Sequence, residues 1–237
     1  MKKITSYIPN LITCLNLLSG CVAVYFAFNL DKQIGAMSAM SWAFLFIAAA
    51  AVFDFCDGLS ARLLHAYSPI GKELDSLSDL VSFGLAPAFL VMNTMLANGS
   101  PLWVSAFALL IAVMGAFRLA KFNVDTRQST SFIGLPIPAN AIFWIGALQQ
   151  IATSGYPGDA SLCLLILVLS LLMVSEIKMF SLKFANLSFL ENYHRYILVI
   201  ASIASVVLLG IQGLALAIII YVVMSLLVKS PAPTAAK

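Results

Sequence analysis

Long apolar runs separated by short polar clusters dominate this chain, and the spacing of the polar breaks predicts its elements. A helix crossing a bilayer needs roughly 20 mainly apolar residues. Eight runs fit that requirement, at about 11–30, 37–64, 73–97, 102–122, 137–153, 160–179, 195–210 and 213–228. "DKQ", "ANGSP" and "TSGYPGD" separate three of the neighbouring pairs, and such clusters of Gly, Pro and polar residues mark turns. The last two runs almost join through "LGIQGLA". Gly210 and Gly213 there predict a turn, and so a hairpin of two spans rather than one long helix. Pro136 and Pro138 predict a break or kink where the fifth span begins. The expected fold class is all-α, a polytopic membrane helix bundle of about eight transmembrane helices.

Composition sharpens this. The chain has 237 residues, of which 62% are hydrophobic and 10% charged, against about 25% charged in an ordinary globular domain. A soluble protein so apolar could not cover its own core. The first run is long enough to span and no clean small-residue cleavage site follows it, so a cleaved signal peptide is not expected. Cys14, Cys21, Cys56 and Cys163 lie scattered in apolar runs without metal-ligand spacing and are expected to be buried small hydrophobes. The lone His65 and His194 are assigned to no metal. Trp42, Trp103 and Trp144 are expected at interfaces or packing surfaces.

The net charge of +3 is too small to argue for nucleic acid, but its distribution is informative. With eight spans, Lys2, Lys3, Arg62, Lys72, Arg118, Lys121, Arg127, Lys178, Lys183, Arg195, Lys229 and Lys237 fall on one side of the membrane and Lys32 alone on the other. Basic residues concentrate in cytoplasmic loops, so both termini are expected in the cytoplasm. The tail "KSPAPTAAK" is expected to be disordered, and "MKKITSYIPN" to lie along the interface.

Against this apolar background one stretch stands out, "FDFCDGLSARLLHAYSPIGKELDSLSDLVSFG". It gathers four aspartates, Asp54, Asp57, Asp75 and Asp79, in a chain with only ten acids in all. Asp54, Asp57, Gly58 and Ala61 are spaced to share one helical face, and Gly71, Asp75 and Asp79 share another. A short link between the two helices lets all four carboxylates point at one space. A charged side chain at the bilayer centre costs about 2.5–3.5 kcal/mol even on the mildest scale, and mutual repulsion adds to it. Protons or divalent cations remove that cost. Four clustered carboxylates with no Cys/His ligand set suit hard ions such as Mg²⁺ or Mn²⁺. Gly and Ala on the same faces leave room for a ligand, and cations beside small residues suit phosphoryl chemistry.

The pattern Asp54-x-x-Asp57-Gly58-x-x-Ala61-Arg62, then Gly71-x-x-x-Asp75-x-x-x-Asp79, resembles the signature of the CDP-alcohol phosphatidyltransferase family at every position and spacing. "IPNLITCLNLLSG", "SDLVSFGLAPA", "FRLAKFN", "GLPIPANA" and "MVSEIKMFSLK" resemble the phosphatidylserine synthase branch, so that the likeness covers roughly residues 8–185. It implies a six-helix core over 1–185, an added C-terminal helical hairpin over 186–229 and a tail over 230–237. The implied reaction joins CDP-diacylglycerol and L-serine to give phosphatidylserine and CMP. The resemblance makes Asp54, Asp57 and Asp75 ligands of metal, Mg²⁺ or Mn²⁺ with two ions per site, and of the nucleotide diphosphate. It makes Asp79 both metal ligand and general base. It also implies a multi-pass homodimer of the cytoplasmic membrane, in contact with membrane lipids, whose active site faces the cytoplasm.

The remaining polar residues admit two readings each. Asn10, Thr13 and Asn16 lie near one face of the first span, either bonding to other helices or, in the Pro9–Thr13 region, closing over the nucleotide. With Gly58, Ala61, Arg62 and Gly71, Asn10 and Thr13 complete the expected CDP-diacylglycerol contacts. Arg118, Lys121 and Asn123 either anchor the fourth span or bind serine, Arg118 gripping a carboxylate in two-pronged fashion. Ser175, Lys178 and Lys183 match the serine-branch string or simply flank the membrane. An acceptor such as glycerol 3-phosphate would call for a basic cluster, for which Arg118, Lys121 and Arg127 are the candidates; inositol is a further alternative. A cation or proton transporter would instead spread its acids over several spans near the midplane.

Overall fold

The computed structural model describes residues 7–125, 132–180 and 189–227, and among them the chain is almost wholly helical. Helix α1 (Tyr7–Ala27) is followed by a minimal hairpin, β1 (Gln33–Ile34) and β2 (Met37–Ser38), and by α2 (Ala39–Leu63). The third pass is continuous, comprising α3 (Pro69–Asp79), a π-helical segment (Leu80–Leu85) and α4 (Ala86–Ala97). The fourth joins α5 (Leu102–Ser105), a 3₁₀ turn (Ala106–Leu109) and α6 (Leu110–Val124). Then come β3 (Phe132–Ile133), α7 (Ile137–Ser154), α8 (Asp159–Val174), β4 (Lys178–Met179), α9 (Phe189–Leu209), a 3₁₀ turn (Gly210–Gln212) and α10 (Gly213–Leu227).

The ends follow local chemistry. Ser38 caps α2 by accepting from the Ser41 N–H. Ser68 caps α3 by accepting from the Gly71 N–H, with Pro69 at the first helical position, where its missing N–H costs nothing. Gly71 therefore lies inside the helix rather than in the link, and His65, at φ 50°, turns the chain between α2 and α3. Pro136 caps α7 and Pro138 sits in its first turn, so these prolines start the helix without kinking it. The sixth run ends at Val174, short of 179, because Ser175 leaves helical geometry and Lys178–Met179 pairs as a strand.

Among the described residues five helical segments are long and apolar enough to cross a membrane: Tyr7–Ala27, Ala39–Leu63, Pro69–Ala97, Leu102–Val124 and Asn192–Leu227. The last turns at Gly210, at φ 64°, and α10 packs back on α9 closely enough that a Cβ on Gly213 would lie 2.1 Å from the Ser205 carbonyl oxygen. α7 and α8 are shorter. The outer surface is a skin of large apolar side chains, Leu208 and Trp103 among the most exposed, while Trp144, Phe83, Ile47, Leu90 and Met95 fill the interior. Apolar surface on this scale marks contact with lipid, and the protein is an all-α multi-pass membrane bundle. Of the cysteines, Cys14 and Cys21 are exposed on this skin, not buried as expected; in lipid an outward-facing thiol loses no apolar contact. Lys2, Lys3, Arg127, Lys183, Lys229, Lys237 and the 230–237 tail lie outside the described residues.

Two features of the third pass bear on the site. The Ala86 N–H donates to the carbonyl of Val81, five residues back, which is the widened π pattern. The next residue, Pro87, has no N–H, and its ring would crowd the carbonyl four residues back in a regular helix; widening relieves that clash. Gly20 on α1 lets the two helices nearly touch here, since a Cβ on it would lie 2.4 Å from Ser82 Oγ and 2.8 Å from Ser82 Cα.

Candidate active site

α2 and α3 run antiparallel into the turn at residues 64–68, and their facing surfaces carry the four aspartates. Carboxylate oxygens of Asp54, Asp57 and Asp75 come within 4.8 Å of one another. Asp57 Oδ2 and Asp75 Oδ1 are buried without a hydrogen-bond partner among the described residues. Asp79 stands one turn deeper than Asp75, 9% exposed, within the electrostatic reach of the other three. The Asn16 side-chain amide donates to its Oδ1 at 3.1 Å.

Orphaned carboxylate oxygens held this close are not a resting arrangement for a protein interior, because burying a charge without a partner is costly. They fit a divalent cation: the donors are hard oxygens, they converge, and two of them lack any other partner. Asp54, Asp57 and Asp75 are the residues that would hold it, with Asp79 adjacent.

Beside the carboxylates lies a cavity of about 200 Å³, walled by Asn10 and Thr13 from α1, Gly58 and Ala61 from α2, and Gly71 from α3. The helical faces read from the sequence thus meet around one space, and Asn10 and Thr13 join them there. Arg62 stays exposed, its Nε donating to the Gly58 carbonyl oxygen at 3.1 Å. Gly58 and Gly71 differ in kind. A Cβ on Gly71 would come within 2.8 Å of Asn10 Oδ1. A Cβ on Gly58 would meet only Arg62 Nη2, at 3.7 Å, and otherwise the open cavity. The protein's own packing therefore does not require Gly58, and a Cβ there would take up space in the cavity. Alanine there improves helix stability by roughly 0.5–1 kcal/mol, so Gly58→Ala is expected to melt at or above the parental temperature. Overpacking by one methyl costs about 1–3 kcal/mol, so a ligand that fills the cavity is expected to bind the variant at least several-fold more weakly. A variant that binds the nucleotide lipid normally would show that the cavity is not the nucleotide site.

Arg118, Lys121 and Asn123 line no part of that cavity. Asn123 docks on α3, its amide donating to Ser76 Oγ at 2.9 Å while Lys72 Nζ donates to its carbonyl at 3.0 Å. Lys121 pairs with Glu176 and also donates to the Val174 carbonyl. Arg118 is buried, its Nε reaching the Leu135 carbonyl at 3.4 Å and its guanidinium lying over Phe122. The Gly134 N–H donates to the Ile177 carbonyl at 2.8 Å, and β3 pairs antiparallel with β4. "FRLAKFN", "GLPIPANA" and the "SEIKM" stretch of the third string thus converge in one junction, although they are far apart in the chain. Ser175 turns inward on this junction, bonding to the Leu172 carbonyl. The side chain of Lys178 is exposed.

Sequence reasoning left Asn16 between two readings and passed over Ser82. Asn16 bonds across helices, and its partner is the deepest aspartate. The available signal was an amide placed inside an otherwise apolar run.

In a multi-pass membrane protein, buried carboxylates that could hold a divalent cation beside a cavity at the end of a helix pair make this the candidate active site. Comparison with known proteins gives the family. Residues 6–228 match CDP-alcohol phosphatidyltransferase, and the chain belongs to that family. It is similar to a CDP-diacylglycerol–serine O-phosphatidyltransferase of Mycobacterium leprae, 36% identical over 182 residues, covering 73% of this chain and 57% of that protein. A protein of the same name from Methanocaldococcus jannaschii is 36% identical over 178 residues, 75% of each chain. An archaetidylserine synthase of Methanothermobacter thermautotrophicus is 32% identical over 185 residues, 75% of this chain and 72% of that one.

Proposed function

We propose that this protein transfers a phosphatidyl group from CDP-diacylglycerol to the hydroxyl of L-serine, giving phosphatidylserine and CMP. The observation that carries the reading is the convergence of Asp54, Asp57 and Asp75 beside a cavity that Gly58 keeps open. Serine as acceptor is supported by the relatives' names, in which it is common to enzymes named for two different lipids.

Asp54, Asp57 and Asp75 hold the diphosphate end of the donor together with Mg²⁺ or Mn²⁺, and Asp79 shares in a second ion. Divalent cations, when bound, neutralise phosphoryl oxygens and stabilise the departing CMP. Asn10 and Thr13 close the cavity over the nucleotide. A serine hydroxyl is a poor nucleophile at neutral pH, and Asp79 takes its proton as the serine oxygen bonds to the β-phosphorus and the bond from that phosphorus to CMP breaks. The proton then passes from Asp79 to water. Arg118 and the junction around it form the serine side.

The test is purified protein with CDP-diacylglycerol, Mg²⁺ or Mn²⁺ and a panel of alcohols, following CMP and the lipid product. Serine is expected to give CMP with stoichiometric phosphatidylserine. CMP release with glycerol 3-phosphate or inositol but not with serine would overturn the acceptor. Arg118→Lys keeps the charge but loses the planar fork, so it is expected to raise the serine KM while CDP-diacylglycerol affinity stays near parental. The reverse pattern would assign Arg118 to the lipid phosphate.

The termini and site are proposed to lie in the cytoplasm, on the basic-residue asymmetry, and the protein to be a homodimer of the cytoplasmic membrane, on the family resemblance. Tyr67 lies in the turn beside the site and is 74% exposed. In sealed cells a Tyr67→Cys variant lacking the native cysteines is expected to resist an impermeant thiol reagent until the membrane is opened. Labelling from outside would invert the topology.

A further inference from the structure

The deepest aspartate ends a chain of buried polar side chains, of which two, Asn16 on α1 and Ser82 on the third pass, are not used by the proposed chemistry. Asn16 and Ser82 are fully buried. Ser82 Oγ donates to Asn16 Oδ1 at 2.7 Å and lies 3.0 Å from the Asn16 carbonyl oxygen. Asn16 Nδ2 in turn donates to Asp79 Oδ1 at 3.1 Å. The direction of the chain follows from donor inventory. A carboxylate only accepts, so the amide must turn its NH₂ toward Asp79, which leaves its oxygen facing Ser82, whose hydroxyl can donate.

We propose that Asn16 is a positioning residue for the transfer step, holding the Asp79 carboxylate by one oxygen so that the other is presented to the acceptor hydroxyl, and that Ser82 fixes the orientation of the Asn16 amide. The inference rests on the reading of Asp79 as the base. Three independent features converge on it. The π-helical segment places Ser82 in the third pass directly after Asp79. Gly20 has no Cβ to fend Ser82 off, so α1 and the third pass approach within bonding distance. Ser78 Oγ, whose nearer acceptor is the Leu74 carbonyl at 2.8 Å, also lies 3.3 Å from the Thr13 carbonyl on α1, so the same pair of helices is in close contact one turn away. A side chain free to rotate would spend much of its time with neither oxygen at the acceptor. Loss of an outer-shell hydrogen bond that orients a reacting group costs about 10–100-fold in activity.

The experiment is a double-mutant cycle in the full-length protein at saturating Mg²⁺ or Mn²⁺, with Asn16→Ala, Asp79→Asn and both together. It reads single-turnover CMP release and, separately, CDP-diacylglycerol affinity. Asn16→Ala is expected to lower the rate about 10–100-fold with affinity nearly unchanged. It is expected to add little further loss in the Asp79→Asn background, because coupling through one group is non-additive. Ser82→Ala, which keeps Asn16 but frees its amide to turn over, should lose less rate in the same pattern. It serves as the independent variant if Asn16→Ala does not fold. An undiminished Asn16→Ala effect on top of Asp79→Asn, or a rate loss matched by a loss of affinity, would reduce Asn16 to a packing residue. A near-parental rate for Asn16→Ala beside a crippled Asp79→Asn would remove the positioning role alone. A near-parental rate for Asp79→Asn would remove the base assignment and the positioning role with it.

Discussion

Asp79→Asn is expected to lose turnover by about 10²–10⁴-fold, the usual cost of removing a general base, while CDP-diacylglycerol still binds. The side chain stays isosteric. Its Oδ1 can go on accepting from Asn16 Nδ2, so the helix contact survives and the loss is confined to chemistry. What disappears is an oxygen able to take the proton of the serine hydroxyl. Asp54→Asn is expected to behave differently, because Asp54 belongs to the converging set at the cavity; there the affinity for the nucleotide lipid should fall along with the rate. The contrast is read by measuring affinity and single-turnover CMP release side by side in the two variants. Near-parental turnover of Asp79→Asn would send the proton through another carboxylate or water.

Stripping the protein of divalent cations is expected to abolish CMP release, and Mg²⁺ or Mn²⁺ to restore it. The reason is local. Asp57 Oδ2 and Asp75 Oδ1 are buried with no partner among the described residues, and their neighbours in the cluster are themselves carboxylates. A second readout needs no substrate. A ligand that binds only the folded state stabilises it by about 2.7 kcal/mol at a concentration 100 times its Kd, so the metal-free protein should melt lower and rise in melting temperature on titration with the cation. Asp57→Asn or Asp75→Asn should flatten that rise. Full activity in a rigorously chelated preparation would sink the metal reading.

Much of this was legible in the residues. The polar breaks predicted the helices to within a few positions, because turn-forming Gly, Pro and Asp act locally. The spacing of Asp54, Asp57, Asp75 and Asp79 predicted their convergence, because helical periodicity and one short turn suffice to bring them together. Contacts that depend on how helices lie against each other could not be read in this way. Asn16 and Asp79 are 63 positions apart, and nothing in a single sequence pairs them. The closeness that Gly20 permits depends on which residue happens to face it. The π-helical segment leaves no trace in the apolar pattern, although Pro87 after Gly84 and Leu85 was a clue to a disturbed ladder. Asn123 shows the limit of charge and polarity reasoning. Its place at a helix end left anchoring and ligand contact both open, and the bonds it makes to Ser76 and Lys72, 47 and 51 positions away, could not be read from the sequence.

The shortness of α8 has a consequence for the lipid itself. The helix begins where Asp159 accepts from Ser100, just before α5, and ends where the Val174 carbonyl accepts from Lys121 near the end of α6. It therefore traverses much the same depth as the fourth pass with 16 residues, about 24 Å of rise at 1.5 Å per residue, against a hydrocarbon core of about 30 Å. Such a mismatch is met by thinning the bilayer around the short helix. The bilayer is therefore expected to thin beside the Lys121–Glu176 pair and the β3–β4 junction, which would let head groups and water reach deeper there than around the longer helices. A small polar acceptor and a two-tailed donor can meet there without either leaving its own phase.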